Sequence, residues 1–216
     1  AVRIEYGKPL WTFRQTEVFA NNPKIAAPDD YEAPIYRARV NGIRPYHLEK
    51  TATRWRYNPD YRAPVGEFFF TDAERAAAQN LAGKVVINSK VKAGASPNKQ
   101  WGAARWAEFR RLAEYELVEL EAPTFRQACA ALATAKAYVG HESGLHHAAA
   151  ALGIPGVVIF GGFTPIELTG YAIHRNLGVT FEDACGWRTP CEHCEREMAK
   201  IEPEQVLKEL DAVLRP

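Results

Sequence analysis

The chain has 216 residues, 47% of them hydrophobic and 25% charged, with a formal net charge of +1. That is ordinary globular composition with enough apolar residues for a sizeable core, room for one large domain or two small ones, and no bulk attraction to polyanions. No apolar run approaches the ~18–20 residues of a membrane span, and Arg3, Glu5 and Lys8 break any secretory pattern at the start, where the first residue is Ala1 rather than Met.

Residues 1–66 are irregular in pattern. Residues 2–6 alternate like a strand until Gly7-Lys8-Pro9 interrupts them. Residues 10–19 predict a short helix with Trp11, Phe13, Val18 and Phe19, stopped at Asn21-Asn22-Pro23 because a residue before proline avoids helical geometry. From 37 to 62 basic and aromatic residues interleave: Arg37, Arg39, Arg44, Tyr46, His47, Arg54, Trp55, Arg56, Tyr57, Tyr61 and Arg62. They read either as an acceptor surface for a phosphorylated group or stacked rings, or as a solvated helix face whose arginine stems cover aromatics. The balanced overall charge favours the second. Residues 67–70 predict a short aromatic strand. Thr71 and Glu74 form a capping box for a helix reaching about Leu81 and ending at Gly83. The domain boundary falls there, dividing 1–82 from 83–216.

Residues 84–88 predict a buried parallel strand, followed by a polar loop over 89–100 that carries Lys90, Lys92 and Lys99. Trp101 begins a helix in which Trp106, Phe109 and Leu112 share a face, 116–120 predict a strand, and 124–136 an amphipathic helix with Phe125, Ala128, Cys129 and Leu132 inward. Residues 138–160 read as strand, tight turn, helix, turn, strand. A loop over 161–165 containing Thr164 comes next, then a last strand at 176–181 and a C-terminal helix over Pro203–Leu214 with proline in its first turn. This alternation predicts an α/β fold, a parallel sheet covered by helices. Three loops should meet at the C-terminal edge of the sheet, where ligands bind in such folds: those carrying Lys99, Glu142 to Gly144, and Thr164.

The chemistry of those loops suits a phosphate. First-turn amides of the helix after Gly140 lack intrahelical partners and sit at the positive end of its dipole. Lys99 adds a point charge; Ser143 can cap the helix and donate to a phosphate oxygen, and Gly144 permits close approach. Glu142, acceptor-only when ionised, suits ribose hydroxyls. His147 lies one turn beyond Ser143 and is either a ligand contact or a satisfied core residue; His146, ~100° away, is packing. G-x-S-x-G, a phosphate-loop frame and a D-x-D metal pair are not evident. Cys185, Cys191 and Cys194 make C-x5-C-x2-C with His193 between the last two, a loosely zinc-like spacing. Adjacent His193 and Cys194 make ligation by both awkward, and reduced structural thiols are the preferred reading, as is a buried inert thiol for Cys129.

The stretch VGHESGLHHAAAALGIPGVVIFGGFTP resembles the signature of glycosyltransferase family 9, which includes the ADP-heptose:lipopolysaccharide heptosyltransferases. SPNKQWGAARWAEF upstream resembles the family's lysine-tryptophan segment, and 185–201 with PEQVLKEL resembles its cysteine-rich tail. The resemblance covers 84–216 well and earlier residues faintly. It implies a GT-B-like architecture, with a Rossmann-like nucleotide-sugar lobe and a reduced N-terminal lobe. It also implies Lys99 on the diphosphate, with Ser143, Gly144, Leu145 and His147 lining the diphosphate and sugar. Glu142 stands where the family often has Asp.

The implied activity is inverting, metal-independent transfer of a heptose-like sugar from a nucleotide donor, an ADP-sugar by preference, to a glycan or lipopolysaccharide acceptor. A cytoplasmic location goes with it, peripheral contact with the inner face of the membrane being left open. The glycine-rich G-D loop of the family's N-terminal lobe, which carries its catalytic Asp, is not found, so the catalytic base is unassigned. The residues before 83 are too few for a full lobe: the gene product is longer, or the lobe is reduced. The stretch 114–123 is also short, which puts the contacts to the base in doubt. A non-catalytic nucleotide-binding module and a nucleic-acid-modifying glycosyltransferase are the alternatives, although nucleic acid is a poor fit to the charge.

Overall fold

The computed structural model describes residues 16–27, 29–33 and 44–215. The expected strand at 2–6, residues 10–15 of the expected first helix, and Arg37 and Arg39 lie outside the described residues. The described end of that helix is a single 3-10 turn, Glu17–Phe19, capped by the Thr16 hydroxyl.

Residues 44–62 do not form a helix face. They build an antiparallel hairpin of β1 (His47–Lys50) and β2 (Trp55–Tyr57). The Thr51 hydroxyl closes the turn, accepting from the Arg54 amide and donating to its carbonyl, both at 2.9 Å. The rings of Tyr46, His47, Trp55 and Tyr57 pack together, His47 to Trp55 at 4.6 Å between centroids. Such aromatic pairs across a hairpin favour strand over helix.

The capping box of Thr71 and Glu74 is present and opens α1 (Asp72–Ala77). This helix stops before Leu81, because the Leu81 amide turns to the Thr134 hydroxyl and its side chain is fully buried. The expected strand at 67–70 is not one. The segment is extended without a partner strand, and the Phe69 carbonyl accepts from Arg126 at 2.7 Å instead.

From residue 85 onward strand and helix alternate as expected. The elements are β3 (Val85–Asn88), α2 (Ala103–Leu112), β4 (Leu117–Glu119), α3 (Phe125–Leu132), β5 (Ala137–His141), α4 (Gly144–Ala151), β6 (Gly156–Gly161), α5 (Ile166–Thr169), β7 (His174–Gly178), α6 (Glu192–Ala199) and α7 (Pro203–Leu214). The five strands β3 to β7 form one parallel sheet in the order β4-β3-β5-β6-β7. The last strand begins at His174 rather than at 176 and ends at Gly178, where the Val179 backbone turns to pair with Gly161 and Ile166. Sequence reasoning missed the short α5 and the polar α6.

The strand sequences read as continuous apolar runs because both faces are buried, yet the period of two persists. Val85, Ile87, Ala137, Val139, Val157 and Ile159 face α2 and α7, packing on Trp101, Trp106, Phe109, Val206 and Leu210. Val86, Tyr138, Val158 and Phe160 face α3 and α4, packing on Cys129, Leu132, Ala148 and Ala149. Burying each large aliphatic or aromatic side chain is worth ~1.5–3 kcal/mol. These two layers hold the C-terminal ends of β3, β5 and β6 side by side, so the loops that follow them emerge at one edge. Among the described residues no helix is long and apolar enough to cross a membrane.

Candidate functional site

At that edge lies a cleft of about 690 Å³. Lys99, Glu142, Ser143, Gly144, His147 and Thr164 all line it, as the sequence led us to expect. The opposite wall comes from the early part of the chain and the turn after α5: Arg44, Tyr46, Trp55, Tyr57, Tyr61 and Tyr171, with Lys90 and Lys92 at the loop after β3.

Leu145 does not belong to this set. Its side chain packs against the layer of α3 and α4. It stands two residues before His147, ~200° around a helix, so the two cannot face the same cleft.

Gly140 is required by the local path of Tyr138. The two side-chain positions point to the same face of β5, and the Tyr138 ring folds over Gly140. A Cβ there would lie 2.4 Å from the Tyr138 hydroxyl and 2.9 Å from Asn88 Cβ. The freed space brings together the Asn88 amide, the Tyr138 hydroxyl and Ser143. Asn88 Nδ2 donates to Ser143 Oγ at 3.1 Å and to the tyrosine oxygen at 3.3 Å.

The helix start of α4 is fixed from behind by His146. The Ser143 amide donates to His146 Nδ1 at 2.9 Å, and Nε2 lies 2.9 Å from the Thr169 carbonyl, which assigns the proton to Nε2. His146 is fully buried and is the packing residue expected. With both its nitrogens engaged, the trio Glu142, His146 and His147 lacks a free imidazole at its centre and fits an ordered helix cap better than a metal site.

Lys99 ends a 3-10 turn, Pro97–Lys99, capped by Ser96. Its ammonium forms an ion pair with the Glu142 carboxylate and lies 3.4 Å from the Glu142 carbonyl and 5.6 Å above the Phe163 ring. The pair is nearly buried, with side chains 17% and 11% exposed. Burial works to raise the Glu142 pKa, but the charge and hydrogen bond of Lys99 outweigh it and hold the carboxyl at about 2. His147 is the reverse case. Burial, then the adjacent His146, push it down to about 3, so it is neutral near pH 7. Its Nδ1 is 2.7 Å from the Tyr171 hydroxyl and its Nε2 is 3.9 Å from the Glu142 carboxylate. Burial likewise lowers His141 to about 4; its Nε2 accepts from the Trp101 amide at 3.0 Å and ties the lysine loop to β5.

On the far wall the Tyr57 hydroxyl donates to the Phe163 carbonyl at 3.0 Å and lies 3.4 Å from Thr164 Oγ1. Burial pushes the Tyr57 and Tyr171 hydroxyls up, Tyr171 to about 12. The cleft therefore offers lysine and arginine charge for an anion, one ionised carboxylate for hydroxyls, and aromatic walls for rings. The interleaved pattern of 37–62 contained Arg44, Tyr46, Trp55, Tyr57 and Tyr61; the preferred reading of it as a solvated face is corrected for the four half-buried aromatics, while Arg44 is exposed and lies over the Tyr46 ring. Tyr171 had no signal in the sequence. Cys129 is buried with its thiol pushed up to about 12 by burial, as expected for an inert one.

Comparison with known proteins bears on this geometry. A search of curated proteins finds no significant match. Among solved structures, the chain is similar to ADP-heptose lps heptosyltransferase II of E. coli, with a TM-score of 0.50 and 20% identity over 68% of this chain and 53% of that one. It is also similar to a glycosyl transferase family 9 protein from Veillonella parvula DSM 2008, with a TM-score of 0.48 and 15% identity over 70% of this chain and 55% of that one. The chain spans about half the length of these structures, and the first likeness speaks for the α/β, GT-B-like fold alone. The family model for glycosyltransferase family 9 (heptosyltransferase) matches residues 114–202, which takes in Glu142 to His147 and Thr164 and leaves Lys99 upstream. Over residues 114–202 the chain is thus similar to glycosyltransferase family 9, the heptosyltransferase family.

Proposed function

We propose that residues 83–216 form the nucleotide-sugar lobe of a glycosyltransferase, and that residues 1–82 contribute part of an acceptor-side lobe. The observation that carries this reading is the convergence of the Lys99 ammonium and the start of α4 on one aromatic-walled cleft at the strand ends. A diphosphate would lie against the Gly144 end of α4, where helix amides and the dipole favour an anion. Lys99 would turn from Glu142 to the phosphate oxygens as the leaving group gathers charge. Glu142, freed of its partner, accepts from ribose or sugar hydroxyls. Neutral His147 sits within reach of the same carboxylate and supplies a hydrogen bond rather than a charge.

The finer parts of the reading follow from family resemblance and cleft chemistry. The donor is an ADP-sugar of heptose type. The acceptor is a glycan or lipopolysaccharide approached from the Arg44, Tyr46 and Tyr61 side. Transfer is inverting, with leaving-group charge met by Lys99 and backbone amides instead of a metal, and the location is cytoplasmic. Transfer requires a base to take the acceptor proton. None of the described residues is assigned that role.

Calorimetry with ADP, UDP and GDP on the wild type and on Lys99→Ala tests the proposal, with circular dichroism to check that the variant folds. Binding of ADP that weakens ~10–150-fold in a folded variant is expected, the range of one charge-assisted contact. Absence of any diphosphate binding by the wild type would defeat it. Binding of ADP without sugar transfer to any envelope glycan would favour the non-catalytic module.

A further inference from the structure

The connection between Gly178 and Glu192 is long and without regular structure, yet three neighbouring parts of the cleft hang from it. The hairpin pairs with it: the Trp55 amide donates to the Gly186 carbonyl at 2.9 Å, the Arg188 amide to the Thr53 carbonyl at 2.8 Å, and Arg54 bridges Trp187. The lysine loop is hooked to it, since Asn98 Nδ2 donates to the Trp187 and Thr189 carbonyls, each at 2.7 Å. The loop after β6 lies under it, with the Cys185 amide donating to the Gly162 carbonyl at 3.1 Å and Gly186 to Phe163 at 3.3 Å. Gly186 has φ +66, and a Cβ there would meet the Trp55 carbonyl at 2.0 Å, so the hairpin is seated directly on the segment's backbone. Long loops inside compact domains need a constraint of their own. Apolar packing supplies little here: Trp187 is 40% exposed.

What this segment does have is sulfur. Cys185, Cys191 and Cys194 are all free thiols, and their sulfur atoms lie within 4.8 Å of one another. Cys191 is the N-cap of α6 and Cys194 lies in its first turn, so both side chains turn toward Cys185. The Cys185 sulfur is 2.9 Å from Cys194 and 3.8 Å from Cys191, and it also accepts from the Trp187 amide at 3.4 Å. Tetrahedral zinc with ~2.3 Å bonds to sulfur places its sulfurs ~3.8 Å apart. The Cys185–Cys191 separation already has that value, and rotation of the Cys194 side chain opens the shorter one. Two half-buried members leave an entry path, and the buried third closes the base. A disulfide would use two sulfurs and leave the third without purpose, whereas one ion accounts for all three. An amide donating to sulfur is also the outer support that coordinating groups receive in metal sites.

We infer that Cys185, Cys191 and Cys194 form a three-thiolate site for a zinc ion that clamps this segment beneath the cleft. On binding, three thiols release three protons to solvent, three Zn–S bonds form, and water completes the tetrahedron. No electron transfer is involved. His193 stands outside the converged sulfur group, as its adjacency to Cys194 requires. The ion fixes the backbone from Cys185 to Cys191, and through it the hairpin wall, the Asn98 hook and the Phe163–Thr164 loop.

The test uses the full chain purified with a reductant, supplied with one equivalent of zinc, then passed through gel filtration. About one zinc per chain is expected to remain. Replacing zinc by cobalt should give sulfur-to-cobalt charge transfer and the intense visible bands of a tetrahedral site. Cys185→Ser and Cys194→Ser should each lose both signals, and Cys129→Ser should keep them. Because a serine variant can fail to fold, an organomercurial titrated into the wild type provides a second reading: zinc should be released in step with modification of these thiols. Hydrogen exchange over 161–164 and 184–189 should rise on metal removal while β3 and β5 stay protected. The inference is overturned if the reduced wild type retains no metal. It is equally overturned if both serine variants retain it, if cobalt gives only weak octahedral bands, or if mass spectrometry of the reduced protein finds Cys185 and Cys194 joined as a disulfide.

Discussion

Replacing Lys99 by methionine keeps the stem that lies over Phe163 and removes the charge. In the wild type that charge holds the carboxyl of a nearly buried glutamate at about 2 against the opposing effect of burial. Two unit charges in contact at an effective dielectric of about 20 attract by ~5 kcal/mol before desolvation is subtracted. Removing one partner of a buried pair leaves an uncompensated charge and costs about 3–5 kcal/mol. The residual exposure of the pair puts Lys99→Met near 3 kcal/mol at neutral pH. The cost should depend on pH, since the variant can relieve it by protonating Glu142. With Lys99 gone, burial raises the folded pKa above the unfolded value of ~4.3. The unfolded state then holds fewer protons than the folded one between those two values, so the variant loses stability as pH rises through them. Urea denaturation of wild type and variant at pH 4.5, 6 and 7.5 measures this directly. The deficit should grow with pH, and Glu142→Gln in the Lys99→Met background should recover most of it. A deficit below ~0.5 kcal/mol, or one that is flat with pH, would place the lysine and the glutamate in solvent and refute the burial of the pair.

Three further outcomes follow from the geometry. Gly140→Ala should destabilise by ~1–3 kcal/mol, the range of an overpacked core position, because its Cβ displaces the Tyr138 hydroxyl; urea denaturation measures the loss, and ADP calorimetry should detect weaker binding as the Asn88–Ser143 contact shifts. His141 and His147 are held neutral by burial, at about 4 and about 3, while their unfolded counterparts titrate near 6.5. The unfolded state therefore takes up protons first as pH falls below ~6.5, and each histidine should cost stability at up to ~1.4 kcal/mol per pH unit down to its folded pKa, seen as a slope in urea midpoints that His141→Gln reduces. Arg126 bonds to Glu74 at 2.5 Å and to the Phe69 and Glu17 carbonyls at 2.7 and 2.9 Å, so Arg126→Ala should speed hydrogen exchange over 67–77 and spare β5 and β6.

The parallel sheet was legible because its strands are apolar on both faces and short enough to be told from helices. Gly153 marked the end of α4 and Pro203 the start of α7, whereas α1 stops well before Gly83. Glu142, Ser143 and Gly144 were legible because helix-start chemistry is local: a glycine after a polar pair, just past a strand, needs no tertiary information, whereas Lys99 joins them through the pairing of β3 with β5. The hairpin was not legible. His47 to Lys50 and Trp55 to Tyr57 pair with each other, and the hairpin is anchored through Trp55 and Thr53 to Gly186 and Arg188, more than a hundred residues away. The role of Arg126 was not legible either, since nothing adjacent signals that three distant acceptors bury it. Leu145 is a different case: a sequence motif names a residue without saying whether its amide or its side chain matters, and here the side chain packs against the layer of α3 and α4.

The partner of Lys99 also bears on how the cleft works. A lysine awaiting a phosphate in open solvent would lose hydration only on binding. Here part of that desolvation is already incurred, offset by Glu142, and a diphosphate displaces a carboxylate from the ammonium instead of displacing water. The exchange favours the ligand with the greater charge density on its oxygens, so ADP should outcompete AMP by more than a free lysine would provide. It also releases Glu142 toward ribose and sugar hydroxyls only once the phosphates are in place. Measured affinities for AMP, ADP and ADP-ribose on wild type and Glu142→Gln decide this. In the variant Lys99 has no competitor: AMP should bind more tightly than to wild type, the ADP-to-AMP ratio should fall, and the added affinity from a sugar should shrink. An unchanged ratio would mean that the ion pair is a bystander to binding.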